Sequence, residues 1–260
     1  MKTPSLTLYQ SLDSPIHHLD ARVKVMITIL IIISNVLIPD GSWLALTATW
    51  TILLAVTQLS RIKLAYLFSR SLIVLPFAMA AVTTIFSTPG QDLFSLSWPE
   101  VTVTDLGVIR FGTIMLRSWI SVQAAILLSA TTEFPDLIHA LRHLRIPGVL
   151  VSIISFMYRY LFVLIEETRR LLRARSSRSA RIPGVKKGGS LSWNIKTAGS
   201  MVGQLFLRSI ERSERIYQAM QSRSYQGHLL TLNPHHMRSR DWITLIGSGS
   251  VILLIQILIH

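Results

Sequence analysis

An all-α integral membrane protein is the fold class this sequence predicts, with about five transmembrane helices and amphipathic helices on the cytoplasmic side. Three observations predict it. Half of the 260 residues are apolar, 15% are charged and the mean hydropathy is +0.47, where an average soluble domain carries roughly 25% charged residues. The apolar residues fall in runs that approach the ~30 Å of a bilayer core. The net charge of +13 is also concentrated: Glu166 to Arg240 holds 15 Lys and Arg against 4 Asp and Glu, or +11 of the total. There is no cysteine, which excludes a disulfide framework, a thiol nucleophile and a thiolate metal site.

The spans follow in chain order. The first 20 residues are polar, with no small-residue cleavage site after the apolar run, so no cleavable signal peptide is expected. Val23–Ile38 and Trp43–Leu59 are apolar runs of 16 and 17 residues, joined by Pro39-Asp40-Gly41-Ser42. That turn has no Lys or Arg, which predicts a helical hairpin with its tip outside. The next loop carries Arg61, Lys63 and Arg70 and belongs inside. Ser71–Ser87 is a third span, kinked at Pro76. Thr88–Gly107, with acidic residues, Trp98-Pro99 and no Lys or Arg, reads as an outer loop.

Val108–Ala130 is the fourth span. It carries Arg110 and Arg117, seven apart on one face near the outer end. They either snorkel to outer headgroups or make a buried partner contact. Trp242–Ile259 is the fifth. Val149–Ile165 is equally apolar but is expected not to cross. Four spans from a cytoplasmic N-terminus return the chain inside, and a fifth crossing here would place the 15 cations of Glu166–Arg240 outside, against the positive-inside rule. The expected organisation is residues 1–133 as membrane helices with the N-terminus in the cytoplasm, 134–240 as a cytoplasmic helical region and 241–260 as the last membrane helix. The chain is expected to be multi-pass in the cell (inner or plasma) membrane.

Within 134–240, Asp136–Leu144 reads as a short helix stopped by Pro147-Gly148. A long helix is predicted from about Val149 to Ser176, its apolar stripe formed by Ile154, Met157, Leu161, Leu164, Leu171 and Leu172, and Glu166 paired with Arg170 at i,i+4. A linker rich in breakers and cations follows, including Pro183-Gly184 and Lys186-Lys187-Gly188-Gly189. A second long helix runs from about Asn194 to Arg223, with Val202, Phe206, Ile210, Tyr217 and Met220 on one face and Arg208, Glu211 and Arg215 on the other. Gly199 and Gly203 have the spacing that permits close helix packing. Each long helix ends in a similar tripeptide, Ala174-Arg175-Ser176 and Ser222-Arg223-Ser224. A terminal Arg complements the helix dipole or contacts lipid; two matched ends point equally to a shared docking role.

No catalytic centre is legible. There is no GxxxxGK[ST], no HExxH and no GxSxG. His139 and His143 share a helical face but have no third ligand in sight. His17-His18 and His235-His236 are adjacent pairs, which do not share a face. Neither a cofactor nor a metal is expected in this chain.

Ser14-Pro15-Ile16-His17-His18-Leu19-Asp20-Ala21-Arg22-Val23-Lys24 resembles the N-terminal signature of the T component of energy-coupling factor (ECF) transporters. So do Arg159–Leu164 with Glu166-Glu167, and the stretch Leu205–Met220. Within that family the chain looks most like the cobalt-type branch, CbiQ. The resemblance implies cytoplasmic coupling helices whose ends dock onto two ATPase subunits, and a substrate-binding membrane subunit, the S component, that captures the substrate. Carried over by position, the docking residues are Ala174, Arg175 and Ser176, and Ser222, Arg223 and Ser224, with Glu166, Arg170, Glu211 and Arg215 supporting the helices. Ser stands where the family has Gly in both motifs, and the second opens on Ser in place of Ala.

The implied function is a non-catalytic scaffold that transmits ATPase motions in an importer of a divalent metal ion, cobalt before nickel, with ATP-Mg bound by the partners. The alternative is the T component of a nickel or vitamin importer. A different class, a basic membrane protein docking lipid or nucleic acid, is disfavoured on the nucleic-acid side. Trp193, Phe206, Tyr217 and Tyr225 are the only aromatics between Glu166 and Arg240, too few for a stacking platform. The expected partners are thus the two ATPases, the S component and membrane lipids.

Overall fold

The computed structural model describes residues 8–97, 100–144, 146–178, 190–227 and 237–259. Trp98-Pro99, the linker from Arg181 to Gly189, His235-His236 and His260 lie outside the described residues. The chain divides into two compact units, Met1–His143 with Asn233–His260, and Leu144–Leu232.

The first unit is a bundle. Helix α1 (Ala21–Leu37) starts at Asp20, whose carboxylate accepts from the Arg22 amide at 2.9 Å, satisfying one of the orphan donors of the first turn. Gly41, at φ 86°, turns the chain into α2 (Trp43–Leu59). The third segment begins at Leu64, earlier than expected, so Arg70 lies within a helix. It runs as α3 (Leu64–Ser71), a 3-10 turn at Leu72–Val74, α4 (Leu75–Ala81) and α5 (Thr83–Ser87). The 3-10 turn comes just before Pro76, which lacks the N–H a continuous helix needs there.

The loop expected over Thr88–Gly107 instead contains a hairpin, β1 (Asp92–Ser97) antiparallel to β2 (Glu100–Thr104), with Phe94 opposite Val103 and Ser97 opposite Glu100. The strand signal is the β-branched alternation Val101-Thr102-Val103-Thr104. Thr104 then caps α6 (Asp105–Thr131), accepting from the Gly107 amide at 3.2 Å. Gly107 allows α6 to meet the preceding chain, since a Cβ there would sit 2.5 Å from the Ile85 carbonyl. Helix α7 (Phe134–His143) packs on α1, and α10 (Ser239–Ile259) packs on α1 and α2.

Helix α6 is the centre of this bundle. Ile120 and Ala124 from α6 meet Leu46 and Leu53 of α2, Leu67 of α3 and Ile38. Polar bonds join the helices inside this core. The Asn35 amide donates to the Arg117 carbonyl at 2.9 Å and to Ser121 Oγ at 3.1 Å, and Trp50 Nε1 donates to Gln123 Oε1 at 3.0 Å. In lipid, where apolar contact alone does not favour association, such bonds contribute about 0.6–2 kcal/mol each. Outward positions are apolar and exposed, as for Leu44 at 84% and Met79 at 78%, which suits a surface facing acyl chains.

Among the described residues, four helical segments are long and apolar enough to cross a membrane by length and composition: Leu64–Ser87, Asp105–Thr131, Gly148–Arg178 and Ser239–Ile257. Trp43–Leu59 is a shorter apolar helix. The chain is a helical, multi-pass membrane protein. In the second unit, α8 (Gly148–Arg178) and α9 (Leu191–Gln221) each span 31 residues.

Candidate functional site

Helices α8 and α9 run antiparallel, and three contacts place them in register. Ser152 near the start of α8 donates to the Gly227 carbonyl beyond α9 at 3.5 Å. Midway, the Glu167 carboxylate accepts from Arg208 at 3.1 Å and from Arg212 at 2.9 Å. At the far end Arg175 donates to Asn194 Oδ1 at 2.8 Å. Between the first two contacts lies an apolar groove of about 520 Å³, lined by Phe156, Tyr160 and Leu164 of α8 and by Ile216, Tyr217 and Met220 of α9. The i,i+4 steps in each set put these side chains on facing stripes.

Sequence reasoning missed the Glu167 clamp. It favoured Glu166–Arg170 and Glu211–Arg215, which do form, at 2.5 and 3.5 Å. Those pairs lie within single helices, with side chains 63–76% exposed, and pairs of that kind contribute about 0.3–0.5 kcal/mol. Glu167 is different: its side chain is 17% exposed and joins two helices. The available signal was a carboxylate beside Glu166 without an i,i+4 cation of its own, together with the Arg208/Arg212 pair one turn apart. Gly199 and Gly203 do not serve close packing within this structure, because a Cβ on either would meet nothing within 4 Å.

The two tripeptides differ in backbone. Ala174-Arg175-Ser176 does not end its helix, which continues to Arg178. Arg175 is half-buried, with its guanidinium 5.7 Å from the centre of the Trp193 ring. Ser222-Arg223-Ser224 lies past the last helical residue, Gln221. The Ser224 amide donates to Gln221 O at 3.0 Å and the Tyr225 amide to Met220 O at 3.1 Å, the bonding of a Schellman stop. Ser224 occupies the left-handed position at φ 60°, where glycine is the usual residue. Arg223 is exposed, and no side-chain bond to it occurs among the described residues. From Arg175 to the level of Arg223 is roughly twenty residues of α8, or about 30 Å at 1.5 Å per residue. The two arginines therefore stand at opposite ends of the helix pair.

In the first unit, the signature segment lies along a cleft of about 1260 Å³ lined by His17, Asp20, Lys24, Asp136 and Asp241, among others. The bonds of these residues are internal. His17 Nδ1 and Ser14 Oγ are 2.7 Å apart, and its Nε2 is 3.1 Å from Gln10 O. The Lys24 ammonium donates to His17 O and Thr131 O. The Asp241 carboxylate accepts from the Asp20 and Arg238 amides, tying α10 to the start of α1. Burial, reinforced by the Lys24 charge, holds the His17 pKa below its usual value. His18 pairs with Asp13 at 2.6 Å, and His139 and His143 stack with ring centres 5.6 Å apart. Among the described residues no three His, Cys, Asp or Glu side chains gather as metal ligands. Arg117 has an internal partner: it lies 3.0 Å from Asp40 of the α1–α2 turn and donates to the Ile38 carbonyl, and Arg110 approaches the same carboxylate at 3.9 Å.

One unit is a bundle of apolar helices and the other holds two cross-clamped, arginine-rich helices, which defines the class as a multi-pass helical membrane protein. Residues 13–233 match the cobalt transport protein family, CbiQ. The chain is 29% identical to the ECF transporter transmembrane protein of Heliobacterium modesticaldum, over 98% of this chain and 97% of that one. It is 30% identical to the protein of the same name in Brevibacillus brevis, over 94% and 93%. An uncharacterised protein of Methanocaldococcus jannaschii is 28% identical over 92% of this chain and 81% of its own length. The chain belongs to this family, the transmembrane T components of ECF transporters.

Proposed function

We propose that this protein is the scaffold and coupling subunit of an ATP-driven importer, docking two cytoplasmic ATPase subunits through Arg175 and Arg223 and passing their motion to a substrate-binding membrane subunit. The observation that carries the reading is the pair of arginines at opposite ends of a clamped helix pair, about 30 Å apart by helical rise. That spacing suits two partners side by side. A guanidinium presents a planar fork of donors to a partner carboxylate, and helices joined by Glu167 would move as one lever.

In this reading Val149–Ile165 stays on the cytoplasmic side although α8 is apolar enough to cross. Arg159 at mid-bilayer would cost about 2.5–3.5 kcal/mol, and a crossing would invert the basic segment. Residues 1–133 and 241–260 then form five spans, with the N-terminus inside. ATP and Mg²⁺ belong to the partners. The cargo is a divalent metal ion, cobalt before nickel, supported by the description of the matching family. Vitamin import is the second reading, since the relatives' names specify no cargo and selectivity would lie in another subunit. Affinity purification in mild detergent tests the proposal: two ATPase chains and a second membrane protein should copurify. Recovery of the chain alone under conditions that preserve its fold would contradict it.

A further inference from the structure

Arg175 and Arg223 are held differently, and the difference lies in the first turn of α9. Ser190 caps that helix, accepting from the Trp193 amide at 3.3 Å. The Asn194 side-chain NH₂ donates to Ser190 O at 3.3 Å, which orients its carbonyl oxygen. That oxygen accepts from Arg175 at 2.8 Å, while the Trp193 ring lies against the guanidinium at 5.7 Å. One of the five guanidinium donors is therefore used by Asn194 and one face by Trp193, leaving further N–H groups for a partner carboxylate. Among the described residues Arg223 has no such cradle.

We infer that Trp193 and Asn194 are positioning residues of the first docking element, which is built from both helices, whereas the second is a single exposed arginine beyond a helix stop. The inference rests on the docking role proposed above. Holding Arg175 in one orientation before contact removes part of the side-chain ordering that association would otherwise require. Asn is the fitting residue at 194. Its neutral oxygen orients the guanidinium without neutralising it, whereas a carboxylate there would compete with the partner's carboxylate. The contact also ties docking at Arg175 to the closure of α8 on α9, a coupling that Arg223 lacks.

The test measures binding of the ATPase subunits that copurify with the wild-type chain, added back to the purified chain in nanodiscs. An Arg223→Ala background isolates the first element. Asn194→Ala and Trp193→Ala should each weaken binding by about three- to tenfold, and Trp193→Phe should restore most of the loss. Asn194→Asp, which keeps the contact but neutralises the charge, should bind no better than Asn194→Ala. In the chain that keeps Arg223, so that binding by Arg175→Ala stays measurable, adding Asn194→Ala to Arg175→Ala should weaken binding no further, because the cradle acts only through that arginine. Wild-type binding by both Asn194→Ala and Trp193→Ala, or losses fully additive with Arg175→Ala, would overturn the inference while leaving the docking role intact. Wild-type binding by Arg175→Ala itself would instead overturn the docking role.

Discussion

Glu167 of α8 and Arg212 of α9 meet at 2.9 Å, with Arg208 one turn away on the other carboxylate oxygen at 3.1 Å. One acidic side chain thus bridges two arginines of α9 that would otherwise repel each other, and it ties them to α8. Glu167→Ala should destabilise the α8–α9 pair by about 1 kcal/mol, a modest figure because the arginines are roughly half exposed. Hydrogen exchange of the α9 amides near Arg208 and Arg212 should quicken about fivefold, with the membrane helices unaffected. A cycle with Arg212→Ala should show non-additivity.

Ser224 adopts φ 60° in the stop that aims Arg223. Ser224→Gly should stabilise that stop by about 0.5–1 kcal/mol. Slower exchange of the Ser224 and Tyr225 amides would register it. Ser224→Val, β-branched in a left-handed position, should fray the turn and weaken ATPase binding.

The fold favours neutral His17, whose pKa lies below the usual value through burial and the nearby Lys24 charge. The unfolded chain therefore takes up its proton first as pH falls. Stability should decline from about pH 6.5 downward and level off once His17 is protonated in the fold as well. Thermal unfolding in detergent between about pH 7.5 and about pH 5.5 measures this. His17→Gln should flatten the decline.

Topology offers an independent check. A reporter fused after Lys187 should be active only in the cytoplasm, and one fused after His260 only outside. Outside activity at Lys187 would mean that α8 crosses the membrane.

The apolar runs were readable because a span must be continuously apolar, so α1, α2, α6 and α10 differ from expectation only at their ends. Three features were not readable for a common reason: they depend on pairings distant in sequence. Glu167 meets cations about forty residues away, at a register that only the α8–α9 packing defines. Arg117 finds Asp40 of the α1–α2 turn, although its own run favoured the outer headgroups. Arg175 looked like a terminal residue because Arg-Ser-Ser precedes the breakers, yet α8 continues to Arg178 and α9 comes back to it. The hairpin at Asp92–Thr104 was a local miss, since the alternation of Val101 to Thr104 was in plain view. The left-handed turn at Ser224 was hidden because glycine, not serine, is the usual residue at such a φ.

The most direct test of the central claim is the affinity of the ATPase subunits for the nanodisc-embedded chain when its arginines are removed one at a time and together. Arg175→Ala and Arg223→Ala should each lower affinity by about 10–100-fold, the loss of one charge-assisted contact of roughly 1.5–3 kcal/mol. The double variant should lose binding altogether, and Arg178→Ala should bind as the wild type does. Equal, mild losses for Arg175→Ala, Arg223→Ala and Arg178→Ala would mean that these arginines act only as diffuse positive charge, and would contradict the account.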